Sequence, residues 1–265
     1  MTASRAATYM LRVNSRLRFV QYFLRALALV VSTLIVVPII VVVCLFEQDG
    51  KQGYRFAQWW MAFNLWMSGV HVKVRGLENL DPTRQYVFMS NHRSAADIVA
   101  IGWALWAFQI RFVAKKELLK VPVFGWGLWA LKNIVIDRSN HVQAVRSYAV
   151  AGQRIRRGIS VVVFPEGTRG EGEELLPFKK GGFVLAMETG TPIAPIAMVG
   201  TTAIMAKHSL KIESGDVDVR IGMPIETAGV ALKDKDQIVA RVREAIRALG
   251  RPPAQQPLSQ GSSSL

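Results

Sequence analysis

Tyr86-Val87-Phe88-Met89-Ser90-Asn91-His92-Arg93-Ser94-Ala95-Ala96-Asp97 opens as a short apolar run of strand type and closes in a polar knot, with an apolar, helix-like segment behind it at residues 98–108. A strand end suits chemistry, because the sheet holds the backbone while the side chains face an open crevice. His92 is the one side chain in the knot that exchanges a proton near neutral pH. Asp97 lies five residues later, a spacing that puts the two on different faces of a continuous helix. A turn leading into a helix start instead folds Asp97 back onto one ring nitrogen of His92, fixing the tautomer and leaving the other nitrogen as a base. The competing reading is a loop histidine with Asp97 as a helix cap. The knot alone supports both equally.

Composition narrows the setting. The 265 residues suffice for one large domain and an appendage; 51% are hydrophobic, only 20% are charged, and the net charge is +14. Such a balance suits an anionic membrane or nucleic acid. Cys44, the sole cysteine, lies in an apolar run, which excludes a disulfide framework and a thiolate metal site. His71, His92, His141 and His208 lack metal-ligand spacing, so no metal is expected.

Residues 1–25 carry five arginines and no acid, and Ala26–Phe46 then reads ALALVVSTLIVVPIIVVVCLF. As a helix this run is about 30 Å long, enough for a bilayer core. A secretory signal has a shorter apolar core, ~7–15 residues, followed by a small-residue cleavage site. Glu47-Gln48-Asp49 is not such a site. Pro38 lies inside the run, where proline usually kinks a helix. A second segment, residues 54–69, brings Trp59, Trp60 and Trp66 among apolar residues, which suits a headgroup interface or an ordinary packed helix. Arginine-rich starts stay cytoplasmic. A returning pair, residues 20–46 and 54–69, leaves both ends on that side, together with the Lys/Arg-rich remainder.

From Val70 the pattern alternates strands and helices. Strands are expected at Val70–Val74, Tyr86–Met89, Ile110–Val113, Asn133–Ile136, Val161–Phe164, Ile193–Val199 and Val217–Ile221. Helices are expected at Ala96–Phe108, Val121–Leu131, His141–Arg157, Lys180–Glu188 and Lys235–Leu249. This predicts an α/β fold with a mostly parallel sheet flanked by helices, behind an N-terminal membrane-embedded helical segment. The expected division is 1–69 for the basic, membrane-associated part and 70–250 for the α/β domain. A Pro/Gln/Ser-rich tail at 251–265 is expected to be disordered.

Three further clusters follow strands: Lys115-Lys116-Glu117, Asp137-Arg138, and Pro165-Glu166-Gly167-Thr168-Arg169-Gly170 running on to Phe178-Lys179-Lys180-Gly181. In a parallel sheet these strand ends share an edge with His92. Lysines, arginines and backbone amides around the histidine make an anion pocket suited to phosphate. Gly125-Trp126-Gly127 fits a relaxed dinucleotide fingerprint, but tryptophans crowd the turn and no acid follows at the ribose distance. No phosphate loop of Walker type and no Gly-x-Ser-x-Gly elbow is present.

Asn91-His92-Arg93-Ser94-Ala95-Ala96-Asp97 resembles the NHxxxxD motif of the glycerolipid acyltransferases. Lys115-Lys116-Glu117-Leu118 with Pro122, Gly125 and Arg138 resembles the second motif of that family. Phe164-Pro165-Glu166-Gly167-Thr168-Arg169 with Phe178-Lys179-Lys180-Gly181 resembles the third, and Thr191-Pro192-Ile193-Ala194-Pro195-Ile196 the fourth. The likeness runs in the family's order over residues 70–225 and is greatest to the bacterial 1-acylglycerol-3-phosphate acyltransferases. Arg93 stands where glutamine is common, and Gly170 where serine is common.

The resemblance implies acyl transfer from a thioester, coenzyme A or acyl carrier protein, to the free hydroxyl of lysophosphatidic acid, with no cofactor and no enzyme nucleophile. It implies His92 as general base oriented by Asp97, and Lys115 or Lys116, Arg138 and Arg169 as phosphate ligands. Gly167 and Thr168 belong to the same substrate loop, and Glu166 organises the cations or the acceptor's polar atoms. The expected location is the inner membrane with the catalytic domain toward the cytoplasm. Other acceptors (glycerol 3-phosphate, another lysophospholipid, a lyso-aminolipid) and a non-catalytic basic membrane-binding module are the alternatives. Nucleic acid is not an expected partner, given the apolar N-terminus and the absence of a nucleic-acid motif.

Overall fold

The computed structural model describes residues 3–137, 141–172, 174–209 and 211–251, with side chains described from residue 18 onward except that of residue 141. The tail from residue 252 therefore lies outside the described residues, as does Arg138. Seven strands, β1 (Val70–Arg75), β2 (Val87–Ser90), β3 (Ile110–Lys115), β4 (Ile134–Ile136), β5 (Ser160–Val163), β6 (Ile193–Val199) and β7 (Gly215–Ile221), form one sheet in the order β1-β7-β6-β2-β5-β3-β4. Strand β2 pairs in parallel with β5 on one side, Phe88 opposite Val162, and with β6 on the other, Phe88 opposite Ala194. β3 lies parallel to β5, and β4 parallel to β3. The expectation of a mostly parallel sheet is met with one reversal: β6 and β7 pair antiparallel, so β7 and its parallel neighbour β1 point the other way.

The Val/Ile-rich runs read as strands because both faces of the sheet are covered. Successive side chains alternate faces, so Phe88, Val162 and Ala194 enter one core and Val87, Met89, Val161 and Val163 enter the other. The second core is closed by α5 (His141–Arg156), α6 (Gly181–Thr189) and α8 (Lys235–Gly250), the last turning Ile238, Val242 and Ile246 inward. The first is closed by α1 (Ala3–Leu45), α2 (Lys51–Ser68) and α3 (Ala96–Ala104). Two short helices complete the set, α4 (Phe124–Ala130) and α7 (Thr201–Ile204).

The N-terminal pair differs from expectation in extent. The first helix begins at Ala3 and continues through Pro38, and the second begins at Lys51, where the Glu47 carboxylate accepts the amides of Lys51 and Gln52 at 2.8 and 2.7 Å. The helices lie side by side, with Ser32 hydrogen-bonded to Asn64 across a buried seam. Residues Arg18–Leu45 of α1 are long and apolar enough to cross a membrane. Phe23, Leu27, Val31, Leu34, Ile35 and Val42 leave the outward face exposed and apolar, while Val37, Ile40 and Cys44 face the core.

Candidate active site

β2, β5, β3, β4 and β6 all end at one edge of the sheet, and the knot at residues 91–97 sits at its centre. Asn91 fixes it sideways. Its amide donates to the Met198 carbonyl at 3.0 Å, and its carbonyl accepts the Met198 amide at 2.7 Å, continuing the β2–β6 ladder with a side chain. The turn then carries Asp97 back to the histidine. Oδ2 of Asp97 lies 2.7 Å from His92 Nδ1 and also accepts the amides of Arg93 at 2.7 Å and Ser94 at 2.9 Å. Asp97 is fully buried, so bulk water does not compete with these donors at Oδ2, while among the described residues Oδ1 has no hydrogen-bond partner. Of the two readings of the knot, this geometry favours the paired one; Ala95 is the residue at the cap position of α3.

The His92 ring stacks on Phe164 with centroids 4.1 Å apart and planes 19° apart. With Nδ1 donating to Asp97, the proton is held on that nitrogen, and the Nε2 lone pair is left to accept. Among the described residues no group bonds to Nε2, and the side chain is 16% exposed. Ser94 anchors the turn by donating to the Met205 carbonyl at 2.7 Å.

Glu166 points back into the fold. Its side chain is wholly buried; Oε1 accepts the His92 amide at 2.9 Å and Oε2 the Leu176 amide at 2.9 Å, and Arg93 donates to both oxygens at 3.0 and 2.8 Å. Of the two roles the sequence reading left to Glu166, organising cations or meeting the acceptor's polar atoms, its geometry fits the first: it holds the Arg93 cation and the His92 amide, and donors saturate its carboxylate from inside the fold. The partner is Arg93, which spacing did not single out; 73 residues separate the two. The Gly170 amide donates to the His92 carbonyl at 2.8 Å, a second tie between the third cluster and the knot.

The remaining cations divide. Lys116 pairs with Asp137 at 2.5 Å, which raises the lysine's pKa through their hydrogen bond and joins the ends of β3 and β4. This commits Lys116 to protein structure and leaves Lys115, exposed at the end of β3, as the free lysine of the two. Arg169 follows β5, adjacent to β2, and among the described residues nothing pairs with its guanidinium. Thr168 is exposed beside it, and Gly167 takes a φ of 74° in the turn whose amide bonds to the Phe164 carbonyl. Strands lie about 4.8 Å apart, so Arg169 starts one strand from His92 and Lys115 two, roughly 10 Å.

Against the knot opens an apolar cavity of about 550 Å³. Ala95 and Ala96 reach it from the turn, Val36, Val37 and Ile40 from α1, Trp60 and Met61 from α2, and Gly127 and Leu128 from α4. The size falls within the range of small-molecule sites. Sequence reading did not locate it, because its walls come from helices far apart in the chain, α1 through α4 and α7. The arrangement as a whole can deprotonate a hydroxyl held at Nε2, hold an anion near Arg169 and Lys115, and take an aliphatic chain beside them.

Residues 71–199 match the family model described as Acyltransferase. The 1-acyl-sn-glycerol-3-phosphate acyltransferase of Cocos nucifera is 34% identical over 164 residues, which are 62% of this chain and 52% of that protein, so the chain spans about half the length of this relative. The enzyme of the same name from Limnanthes douglasii is 32% identical over 196 residues, 73% of this chain and 68% of the relative. The crystal structure of the 1-acyl-sn-glycerophosphate acyltransferase from Thermotoga maritima shares the fold, with a TM-score of 0.69 at 23% identity over 88% of this chain and 97% of that one. With four ordered motifs, a shared fold and a relative matched over two thirds of both chains, this protein belongs to the acyltransferase family that includes the 1-acyl-sn-glycerol-3-phosphate acyltransferases.

Proposed function

We propose that the protein transfers an acyl group from a coenzyme A or carrier-protein thioester to the free hydroxyl of 1-acylglycerol 3-phosphate, giving phosphatidic acid. The observation that carries this reading is the His92–Asp97 pair, 2.7 Å apart, at the strand ends, with Ala95 and Ala96 of the same turn lining an apolar cavity. A basic membrane-binding module has no need of such a pair.

Nε2 of His92 takes the hydroxyl proton as the oxygen attacks the thioester carbonyl. Asp97 stabilises the imidazolium that forms. When the tetrahedral intermediate collapses, the carbon–sulfur bond breaks and the imidazolium returns its proton to the departing thiolate. General-base help of this kind is worth about 10²–10⁴-fold, and holding the acceptor by its phosphate adds an orientation term. Arg169 and Lys115 are the proposed phosphate ligands among the described residues, with Arg138, which lies outside them, as a third that the sequence motif adds.

The membrane reading is supported by how the apolar stretch of α1 is tied down. Where that stretch begins, Arg25 donates to the Ile212 carbonyl at 2.8 Å and Tyr22 bonds to Glu213. Just past its end, Asp49 pairs with Arg154 and Arg157 at 3.2 and 2.9 Å. Both ends of the apolar stretch thus meet polar groups of one domain, which fits a stretch lying in the plane of one leaflet, on the cytoplasmic face of the inner membrane, better than one crossing it.

A labelled acyl donor offered to a panel of acceptors tests the proposal. Arg169→Ala is expected to weaken use of 1-acylglycerol 3-phosphate by about ten- to a hundredfold, the loss of one charge-assisted contact of roughly 1.5–3 kcal/mol. A phosphate-free monoacylglycerol is expected to be used equally by mutant and wild type. Equal losses on both acceptors, or preference for glycerol 3-phosphate, contradict the proposed acceptor.

A further inference from the structure

One apolar surface is left over once the catalytic crevice and the outer face of α1 are accounted for. α4 has two contrasting sides. Gly127 and Leu128 line the central cavity, and Gly127 packs so closely on α1 that an added Cβ would lie 3.3 Å from Val37. Trp126 and Trp129, three residues apart and therefore on one face, point outward at 58% and 57% exposure. Leu119 and Val121, just before the helix, are exposed beside them. Between this face and α1 lies a shallow recess of about 360 Å³, walled by Val41, Leu119, Gly125, Trp126 and Trp129.

A helix that is apolar on both sides needs cover on both sides. On the inner side the fold supplies it. On the outer side, the neighbouring surface indicates what does. α1 packs against α2 on one flank and α4 on the other. α2 exposes Trp59, Phe63 and Trp66, and α1 exposes its Ile/Leu/Val stripe, so α2, α1 and α4 form one continuous outward apolar face. Lysines rim the α4 end: Lys115, Lys116 and Lys120 are exposed, and the Lys132 ammonium lies 4.7 Å over the Trp129 ring. Two copies of a chain with a net charge of +14 repel, whereas an anionic lipid surface attracts them both.

We propose that α4 is a third membrane-seated element, with Trp126 and Trp129 at the headgroup boundary of the leaflet that covers α1 and α2, and Lys120 and Lys132 among anionic headgroups. The inference rests on the in-plane membrane reading of α1 and adds to it. Tryptophan rings suit that boundary, apolar in body with one polar edge. Seated so, α4 places one wall of the central cavity within a helix diameter of the acyl region.

The test uses the full chain with Cys44→Ser in vesicles of phosphatidylcholine and phosphatidylglycerol. A nitroxide is placed singly at Trp126→Cys, Trp129→Cys, Ile35→Cys on the outer face of α1, or Val145→Cys on the opposite side of the molecule. Collision with oxygen, which concentrates in lipid, is compared with collision with a water-soluble nickel chelate. Labels at 126, 129 and 35 are expected to favour oxygen, and the label at 145 the chelate. Chelate access at 126 and 129 with oxygen access at 35 overturns this proposal and leaves the membrane reading standing. Chelate access at 35 overturns both. Low access of both agents at 126 and 129 means protein cover, a second copy, and also overturns it. A second variant, Trp126→Phe/Trp129→Phe, keeps the apolar bodies. Its fluorescence amplitude quenched by brominated phospholipid is expected to fall below wild type, and an unchanged quenched amplitude contradicts the proposal.

Discussion

At the residue scale the site depends on a buried pair whose two halves come from different strand ends. Arg93 is 7% exposed and held by Glu166 and by the Glu174 carbonyl at 2.9 Å. Removing the arginine leaves a buried carboxylate unpaired, so Arg93→Ala is expected to cost about 3–5 kcal/mol. The same arginine explains a second position. A Cβ at Gly170 would lie 2.3 Å from Arg93 Nη1 and 3.2 Å from Glu166 Oε2. The two positions where the resemblance departs, 93 and 170, are therefore in contact: the Arg93 side chain fills the space that a side chain at 170 would take. Gly170→Ser alone is expected to lower both Tm and turnover, and Arg93→Gln/Gly170→Ser to recover both, a coupling of about 0.5–3 kcal/mol in a double-mutant cycle. Additive losses contradict the account. Each residue's departure was legible in the sequence. Their contact was not, since it depends on β2 and β5 being neighbours in the sheet.

At the scale of elements, each of the seven expected strands has an observed counterpart, with ends within about two residues, because buried parallel strands are dense in Val and Ile. The reversal of β7 was not legible: direction is set by the path of residues 200–214, and the same apolar pattern serves either sense. The turn between α1 and α2 is fixed by charges that pattern reading passed over. Arg111 lies fully buried under it, donating to the Asp49 carbonyl at 2.7 Å and stacked 5.0 Å from the Tyr54 ring; burial pushes its pKa down to about 10. The Asp49 carboxyl is held below its ordinary pKa, chiefly by the hydrogen bond from Arg157. A depressed carboxylate stabilises the fold above its unfolded pKa, near 3.9, and loses that effect as pH falls through its lower folded value. Amide exchange at residues 46–52 is therefore expected to stay constant between pH 7 and 5 after correction for intrinsic rates. It is expected to rise in Asp49→Ala while residues 92–97 are unchanged. Loss of protection in wild type over that pH range contradicts the assignment.

At the scale of the whole molecule, charge and apolar surface divide the work. The apolar face formed by α2, α1 and α4 lies on one side of the sheet, and α5, α6 and α8 cover the other. The turn that carries His92 and Asp97 also carries Ala95 and Ala96, which line the apolar cavity on the first side. Under the proposed function, a lipid acceptor presents its phosphate and hydroxyl to Lys115, Arg169 and His92 while its chain stays in apolar surroundings. The sequence showed the apolar run and the four clusters separately. Their meeting at one edge followed from reading the sheet as parallel, but the cavity beside the knot required the packing of helices distant in the chain.

The central claim, that His92 is the base for acyl transfer to a lysophosphatidic acid, is tested most directly by thiol release. Purified protein in phosphatidylcholine vesicles is given acyl-coenzyme A with and without 1-acylglycerol 3-phosphate, and free thiol and phosphatidic acid are measured together. Wild type is expected to release one thiol per phosphatidic acid, dependent on the acceptor. His92→Ala is expected to lose about 10²-fold or more in turnover at unchanged vesicle binding and Tm. Near-wild-type turnover in a folded His92→Ala protein, or thiol release without phosphatidic acid in wild type, contradicts the account.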